Sequence, residues 1–398
     1  MIFAIVRLGT VIAIPGIDVM MIKQSMDANA AAGTLYNIIA GGANSRWSIF
    51  AMGIGPYITA SIIMQLLTIA IPSLEQLSKE GEEGRKKIQS ISRYLTVILA
   101  LIQGIGITFS YRTMFLSDSP ILFISSVITL MCGSTFIMWL AEQITAKGIG
   151  NGSSMIIFIN IISNLPMGIS SLYMYASGSD VTGWVKVAAI LIVLIIVLVF
   201  IVLVNGGERR LPVKYSSKMA GRLTRGGDFF PIKVNTSGVI SIIFAISLIQ
   251  FPETIGQFIP NKGPTFIKVI DFLRMTHPFG AALYVILILF FTYFYTSIVI
   301  NPNEIAVNLK KSGGFIPGIR PGQPTSNYIT RIVSRITLVG AICYAILALV
   351  PIILQWVFKV NVGFGGTTLI IVVGVALDII KALESQLLMR HYKGFLSE

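Results

Sequence analysis

Charge is what this sequence has least of: Asp, Glu, Lys and Arg make up only 12% of 398 residues, and the mean hydropathy is +0.82. A soluble domain carries about a quarter charged residues, so a water-soluble globular chain is excluded. Cysteine is scarce too. Cys132 and Cys343 each fall inside an apolar run, which leaves neither a disulfide framework nor a thiolate metal cluster to read. The two histidines, His277 and His391, stand far apart and on expected opposite faces of a membrane. No Gly-x4-Gly-Lys-Ser/Thr loop, no His-Glu-x-x-His and no Cys-x-x-Cys occurs. Gly104-Ile105-Gly106 and Gly148-Ile149-Gly150-Asn151-Gly152 do not follow strands and are not dinucleotide sites. Ionisable groups inside the apolar runs are few: Arg7, and Asp378 near the end of the last run. Such groups are functional candidates, but a proton- or sodium-coupled carrier would place more carboxylates at mid-membrane. These absences predict no enzyme, no metal and no cofactor.

What the chain does have is ten long apolar stretches, at 2–17, 49–71, 95–111, 121–141, 153–174, 184–204, 238–259, 279–300, 336–358 and 363–380. About 20 apolar residues in a helix cross a bilayer, and helices satisfy their own backbone in lipid. The expectation is an all-α membrane protein with ten transmembrane helices. Of the 30 Lys and Arg residues, 21 fall in the even-numbered loops and the C-terminal tail. Eight belong to the odd-numbered loops, counting Lys186 at the mouth of the sixth stretch, and Arg7 lies within the first. By the positive-inside rule the even loops and both termini face the cytoplasm. The net charge of +13 therefore belongs to one side of the membrane. Met1 runs straight into the first apolar stretch without a basic leader, so this stretch reads as a transmembrane helix with little or nothing before it, and not as a cleavable signal.

Three segments break the pattern. Residues 28–43 are apolar on average but short, Gly-rich and interrupted by two asparagines. They read either as a surface loop or as a re-entrant half-helix buried in protein. The seventh stretch has a short apolar core, Val239–Phe251, that stops at Pro252. It is carried by neighbouring helices, or extends to Ile259 with a proline kink. The loops 205–235 and 301–335 are strongly basic, and Phe315–Gly322 has the Pro and Gly density of a rigid looped tip rather than a helix. Basic loops suit an anionic partner, although positive-inside charge needs none. Ten spans divide into halves of five, 1–174 and 175–398, and an odd number per half inverts one half relative to the other.

Several motifs then recur in a fixed order: Arg7-Leu8-Gly9, Pro15-Gly16-Ile17-Asp18, Ser48 to Ile58 continuing to Gln65-Leu66-Leu67, and Gly148 to Gly152. Glu208-Arg209-Arg210-Leu211-Pro212-Val213, Asn308 to Gly313, Phe315 to Gly322 and Phe364-Gly365-Gly366-Thr367 follow. Together they resemble the SecY family, the channel subunit of the bacterial Sec protein translocase, over essentially the whole chain. Two departures stand out. The family's usual cytoplasmic amphipathic start is missing, and Ser241 stands where proline is common.

The resemblance implies two inverted halves around a central pore that passes unfolded preproteins and releases transmembrane segments sideways into lipid. It implies a constricting ring at Ile58, Ile62, Ile157, Ile161, Ile243 and Ile371. Isoleucines four apart share a helix face, stiff β-branched side chains suit a collar, and apolar collars exclude ions by dewetting. It implies a plug over about 35–46, with Leu35, Tyr36, Asn37, Ile38, Ile39, Ala40, Gly41 and Gly42, which favours the re-entrant reading. A lateral gate would lie between the second and third spans and the seventh and eighth, near Thr59, Ser61, Gln65, Gln103 and Asn235. Docking of the SecA motor and the ribosome would use Arg320 first, then Arg209, Arg210, Lys310 and Lys311. Partners would include SecE-like and SecG-like small membrane subunits and nascent polypeptides, in the bacterial plasma membrane. The rival reading is a polytopic secondary transporter with inverted repeats, and the scarcity of mid-membrane carboxylates speaks against it.

The charge partition predicts that cysteines introduced at Ser217 and Ser312 resist an impermeant thiol reagent in intact cells. Labelling of both from outside would invert the topology.

Overall fold

Among the described residues, six helices are each long and apolar enough to cross a bilayer. The computed structural model describes residues 2–18, 21–22, 40–116, 119–177, 181–215, 229–234, 239–256, 264–275, 277–358 and 366–394. In chain order the helices are α1 (Ile2–Gly9), α2 (Gly55–Ala70), α3 (Pro72–Lys79), α4 (Glu82–Ser110), α5 (Pro120–Lys147), α6 (Gly152–Ser177) and α7 (Val181–Gly206). They continue as α8 (Ile240–Gly256), α9 (Pro264–Leu273), α10 (Pro278–Val299), α11 (Pro302–Lys311), α12 (Gln323–Phe358) and α13 (Gly366–Gly394). Four short strands lie in the two basic loops: β1 (Glu208–Pro212), β2 (Lys214–Tyr215), β3 (Phe229–Lys233) and β4 (Gly314–Phe315).

The six long helices are α4, α5, α6, α7, α10 and α12. At 1.5 Å per residue, the 29 residues of α4 reach about 43 Å, more than a hydrocarbon core needs. Its charged first three turns therefore extend beyond the apolar stretch that begins at 95.

The remaining expected spans are shorter helices, each for a visible reason. The first is helical only over Ile2–Gly9. Phe50 packs so closely on Gly9 that no side chain fits there, and Pro15 and Gly16 (φ +96) follow. The backbone from Ile12 to Ile14 instead bonds to the chain at 47–49, with Ile14 N–H donating to Trp47 O at 2.9 Å and Ile49 N–H to Ile12 O at 3.0 Å. The second expected span begins as a helix only at Gly55-Pro56, because residues 40–54 form successive turns. Its far end is set by Pro72, which forces Ile71 into extended backbone. The axis bends by 99° there and α3 leads away.

Helix α8 has 17 residues, and the five consecutive residues Ile242 to Ile246 are all buried. Burial all round a helix means protein on every side. This is the physical reason that a short, Pro252-containing segment persists at membrane depth.

Packing joins α4 to α5 and α2, α10 to α12 and α8, and α13 to α7 and α6. Association in lipid depends on close approach at small residues. Gly133 on α5 is one such residue, since a Cβ there would collide with the Ile49 carbonyl. Gly133→Ala is expected to destabilise by about 1–3 kcal/mol, read as a lower apparent melting temperature of the purified protein. Gly206→Ala, where a Cβ meets nothing within 4 Å, is the control and leaves it unchanged.

Candidate functional site

The six isoleucines expected to form a ring are all buried, as are other helical isoleucines such as Ile137, Ile156, Ile242 and Ile288. Ile58 and Ile62 on α2, Ile157 and Ile161 on α6, Ile243 on α8 and Ile371 on α13 are all under 10% exposed. All six belong to one continuous apolar cluster that also takes in Ala40 and Ala43. Four helices, two from each half of the chain, therefore deliver branched side chains into a shared interior.

Along α6 the environment changes in an ordered way. Asn151 and Ser154 line a cavity of about 280 Å³, together with Lys233, Tyr295, Asp378 and Lys381. Val239 and Val375 also line it, each one helical turn from Ile243 and Ile371. Next along α6 come Ile157 and Ile161. Asn164 follows, and its Oδ1 lies against the backbone of Gly42. The 40–54 segment meets α6 at Asn160 and Asn164, so it overlaps the Ile161 end of the apolar pair, while the polar cavity lies toward the helix start, over ten residues or about 15 Å.

The 40–54 segment is irregular backbone. Gly41, Gly42 and Gly53 have positive φ, and Ala40, Ala43 and Trp47 are buried. Arg7 Nη1 donates to the Gly41 carbonyl at 3.2 Å. The expected plug residues Ala40, Gly41 and Gly42 lie here in turns, whereas Leu35, Tyr36, Asn37, Ile38 and Ile39 lie outside the described residues.

At the seam between halves, α8 packs on both α2 and α4. Thr59 Oγ1 donates to Gly55 O at 3.1 Å and Gln65 Nε2 to Ser61 Oγ at 3.3 Å, both within α2 and not across the seam. Gln103 is half-buried on α4, and Asn235 lies outside the described residues. Two polar contacts escaped the sequence reading. Arg93 Nε and Gln89 Nε2 on α4 both donate to Glu142 Oε1 on α5, at 2.8 and 3.1 Å. Tyr344 Oη donates to Asn205 Oδ1 at 2.7 Å and Lys381 Nζ to Asn205 O at 3.2 Å, which pins the end of α7 to α12 and α13. Gln89 and Arg93 are one turn apart on a polar face, a detectable signal. Nothing in a single sequence says that Glu142 is their partner.

The basic residues sit on a common platform. Arg209 and Arg210 are exposed on β1, opposite Ile232 and Pro231 of β3. Strand β2 pairs with β4, so Lys214 faces Phe315 and Tyr215 faces Gly314, which joins the 205–235 loop to the 301–335 loop. Val213, Leu309, Ile316 and Ile329 form a small apolar core under both. The density of Pro and Gly predicts a looped tip at Phe315–Gly322. Residues 316–322 are irregular there, and a helix over Pro302–Lys311 precedes them, capped by Asn301, whose Oδ1 accepts from Glu304 N–H at 3.4 Å. Lys310 and Lys311 are exposed at the end of α11, where cations complement the helix dipole. Arg320 is exposed at the tip, and its carbonyl accepts from Thr325 Oγ1 at 2.9 Å. Arg210 is partly compensated by Glu208, at 2.7 Å.

Compared with known proteins, residues 48–380 match the family model described as SecY. The chain belongs to the SecY family. The "Protein translocase subunit SecY" of Aquifex aeolicus is 43% identical over 99% of this chain and 94% of its own length. That of Halalkalibacterium halodurans is 42% identical over 98% and 93%. Among solved structures, one titled "The structure of a protein conducting channel" shares the fold at a TM-score of 0.67 and 19% identity, covering 96% of this chain and 90% of that one. "Sec61 in the Canine ribosome-channel complex from the endoplasmic reticulum" does so at 0.63 and 19% identity, with the same coverage. The ten-helix layout of this SecY-family chain is therefore that of a channel fold, and its family is one of translocation channel subunits rather than enzymes.

Proposed function

We propose that the chain is the central subunit of a Sec-type translocase, in which the isoleucine collar is the pore constriction and the 40–54 segment, with what precedes it, is the plug. The observation that carries this reading is the sequence of environments along α6: polar cavity at Ser154, isoleucines at 157 and 161, and the backbone of Gly41 and Gly42 beside Asn160 and Asn164. A transporter site needs convergent polar groups around a small ligand. The polar groups converge on the cavity beside Ser154 rather than on the isoleucines, which suit a narrow passage that excludes water and ions until an extended chain fills it. Unfolded preproteins then pass along the axis, while the seam where α8 meets α2 and α4 opens to release apolar segments into lipid.

The cytoplasmic placement of both termini and of the platform follows from the charge partition. The platform supports docking of a motor such as SecA and of the ribosome, and the solved relatives include ribosome-bound channels. SecE-like and SecG-like subunits would complete the complex. The outward residues of α7, among them Leu191, Ile192, Ile195, Ile196 and Val199, are exposed and apolar, as a lipid- or subunit-facing surface requires.

Replacing Ile58 and Ile161 by asparagine is expected to wet the collar and raise the ion conductance of the reconstituted channel about tenfold. Deleting 35–46 should add to the leak. Unchanged conductance in both variants would remove the collar and plug assignments.

Arg320 tests docking. A topogenic arginine tolerates lysine, because the positive-inside effect counts charge. An arginine that grips a carboxylate or phosphate in a bidentate manner does not. Import of a radiolabelled precursor into vesicles, driven by the motor and ATP, should be abolished by Arg320→Glu and clearly reduced by Arg320→Lys, with normal membrane insertion of the channel. Wild-type import by both variants would leave Arg320 as ordinary positive-inside charge.

A further inference from the structure

The segment from Ala40 to Trp47 is attached to the rest of the molecule in two unlike ways. Its C-terminal end is a rigid anchor. The main chain at 47–49 bonds to Ile12 and Ile14, and Ala13 and Ser48 form an antiparallel bridge. Trp47 is fully buried and meets Tyr111 edge-on at 5.0 Å. Its φ of +46 makes it the one non-glycine residue with positive φ among the described residues. Backbone of that kind persists only where the surroundings over-determine it, and the bridge and the Tyr111 contact do so here.

Nearer its other end a side chain reaches in from α1, beside Asn160 and Asn164 of α6. Arg7 Nη1 donates to Gly41 O at 3.2 Å, a charge-assisted bond to main chain. Glycine is required at the acceptor. Its φ is +73, and a Cβ there would come within 2.8 Å of both Arg7 Nη1 and Asn160 Oδ1. Among the described residues no carboxylate pairs with Arg7. A guanidinium inside an apolar run is costly, and a purely topogenic charge would sit at the cytoplasmic end of the helix. Within the segment, Asn44 Oδ1, Trp47 Nε1 and Ser48 Oγ are buried without a hydrogen-bond partner among the described residues. Such groups make burial of the segment less favourable, so a bond at Gly41 has something to counteract.

We propose that Arg7 is a latch: by holding the Gly41 carbonyl it positions the occluding segment under the collar and sets how readily the segment leaves the pore, with Trp47 as the fixed end of the swing. The inference rests on the pore reading above. A backbone carbonyl is also what an extended polypeptide in the pore presents at every residue. Exchange of the Gly41 carbonyl for a substrate carbonyl leaves the guanidinium hydrogen-bonded at each stage. Release is thereby coupled to occupancy without a titrating group or bond chemistry.

The test is basal conductance of the full channel complex in planar bilayers, without substrate. Arg7→Met keeps a long unbranched side chain and removes the donors. It should raise basal conductance about tenfold, the ratio expected for one lost charge-assisted hydrogen bond. A Ser45→Cys thiol should then react faster with an impermeant reagent from the outer face. Arg7→Lys keeps a charged donor and should restore most of the seal. Ile161→Asn is measured alongside. If it leaks while Arg7→Met matches wild type in conductance and Ser45→Cys reactivity, the latch is wrong and the pore reading stands. If neither leaks, the pore reading fails and the latch with it. Should Arg7→Met not be recovered from membranes, Gly41→Ala breaks the contact from the acceptor side. A leak in that variant supports the latch, and a wild-type seal overturns it.

Discussion

Everything in this molecule depends on one constraint: backbone at membrane depth must have its polar groups satisfied by protein. Helices meet it alone, and six long ones do so here. Residues 40–54 are non-helical, and in the proposed reading they are the element that occludes the pore. They persist because the first apolar run stops being a helix at Gly9 and gives its backbone groups at 12–14 to residues 47–49. The short α2 and α8 are consequences of the same arrangement. Neither has to face lipid on all sides, because the neighbours that surround the collar also surround them. The continuous burial of Ile242 to Ile246 shows how far this goes.

In the proposed reading, the isoleucine collar and the 40–54 segment divide the work of sealing along chemical lines. Branched apolar side chains attract each other without direction, so a ring of six isoleucines can part around a chain of any sequence and close again. It cannot hold one fixed geometry. The 40–54 segment has the opposite character, with specific turns, glycines at positive φ and a charge-assisted bond. Each feature fixes a geometry, and a single bond of that kind is weak enough to exchange. A non-specific, adaptable constriction beside a specific, removable stopper is what transport of many unrelated chains requires.

Much of this was legible in the sequence where the signal was local. Apolar runs placed the ten spans to within a few residues for α5, α6 and α10, because in lipid hydropathy and helix formation coincide. The pairs Ile58/Ile62 and Ile157/Ile161 could be read as shared faces because helical spacing is local too. Their convergence with Ile243 and Ile371 came only from the family resemblance. Contacts between distant residues carried no such signal. Arg93 meets Glu142 across 49 positions, and Asn205 meets Lys381 across 176. The joining of the two basic loops through β2 and β4 was equally hidden, since strands of two residues have no readable alternation.

That joining changes what the basic loops can do. Two separate flexible loops would present Arg209, Arg210, Lys310, Lys311 and Arg320 as independent charges, screened over about 8 Å in cellular salt. A shared apolar core under Val213, Leu309, Ile316 and Ile329 fixes them relative to one another. The platform also reaches the polar cavity: Lys233, which ends β3, lines it together with Val239 and Ile240. The cavity thus brings the platform's Lys233 beside the start of the helix that carries Ile243 and packs on α2 and α4. Because the loops are tied together, a partner that gripped either one would act on both, and on the seam beneath them.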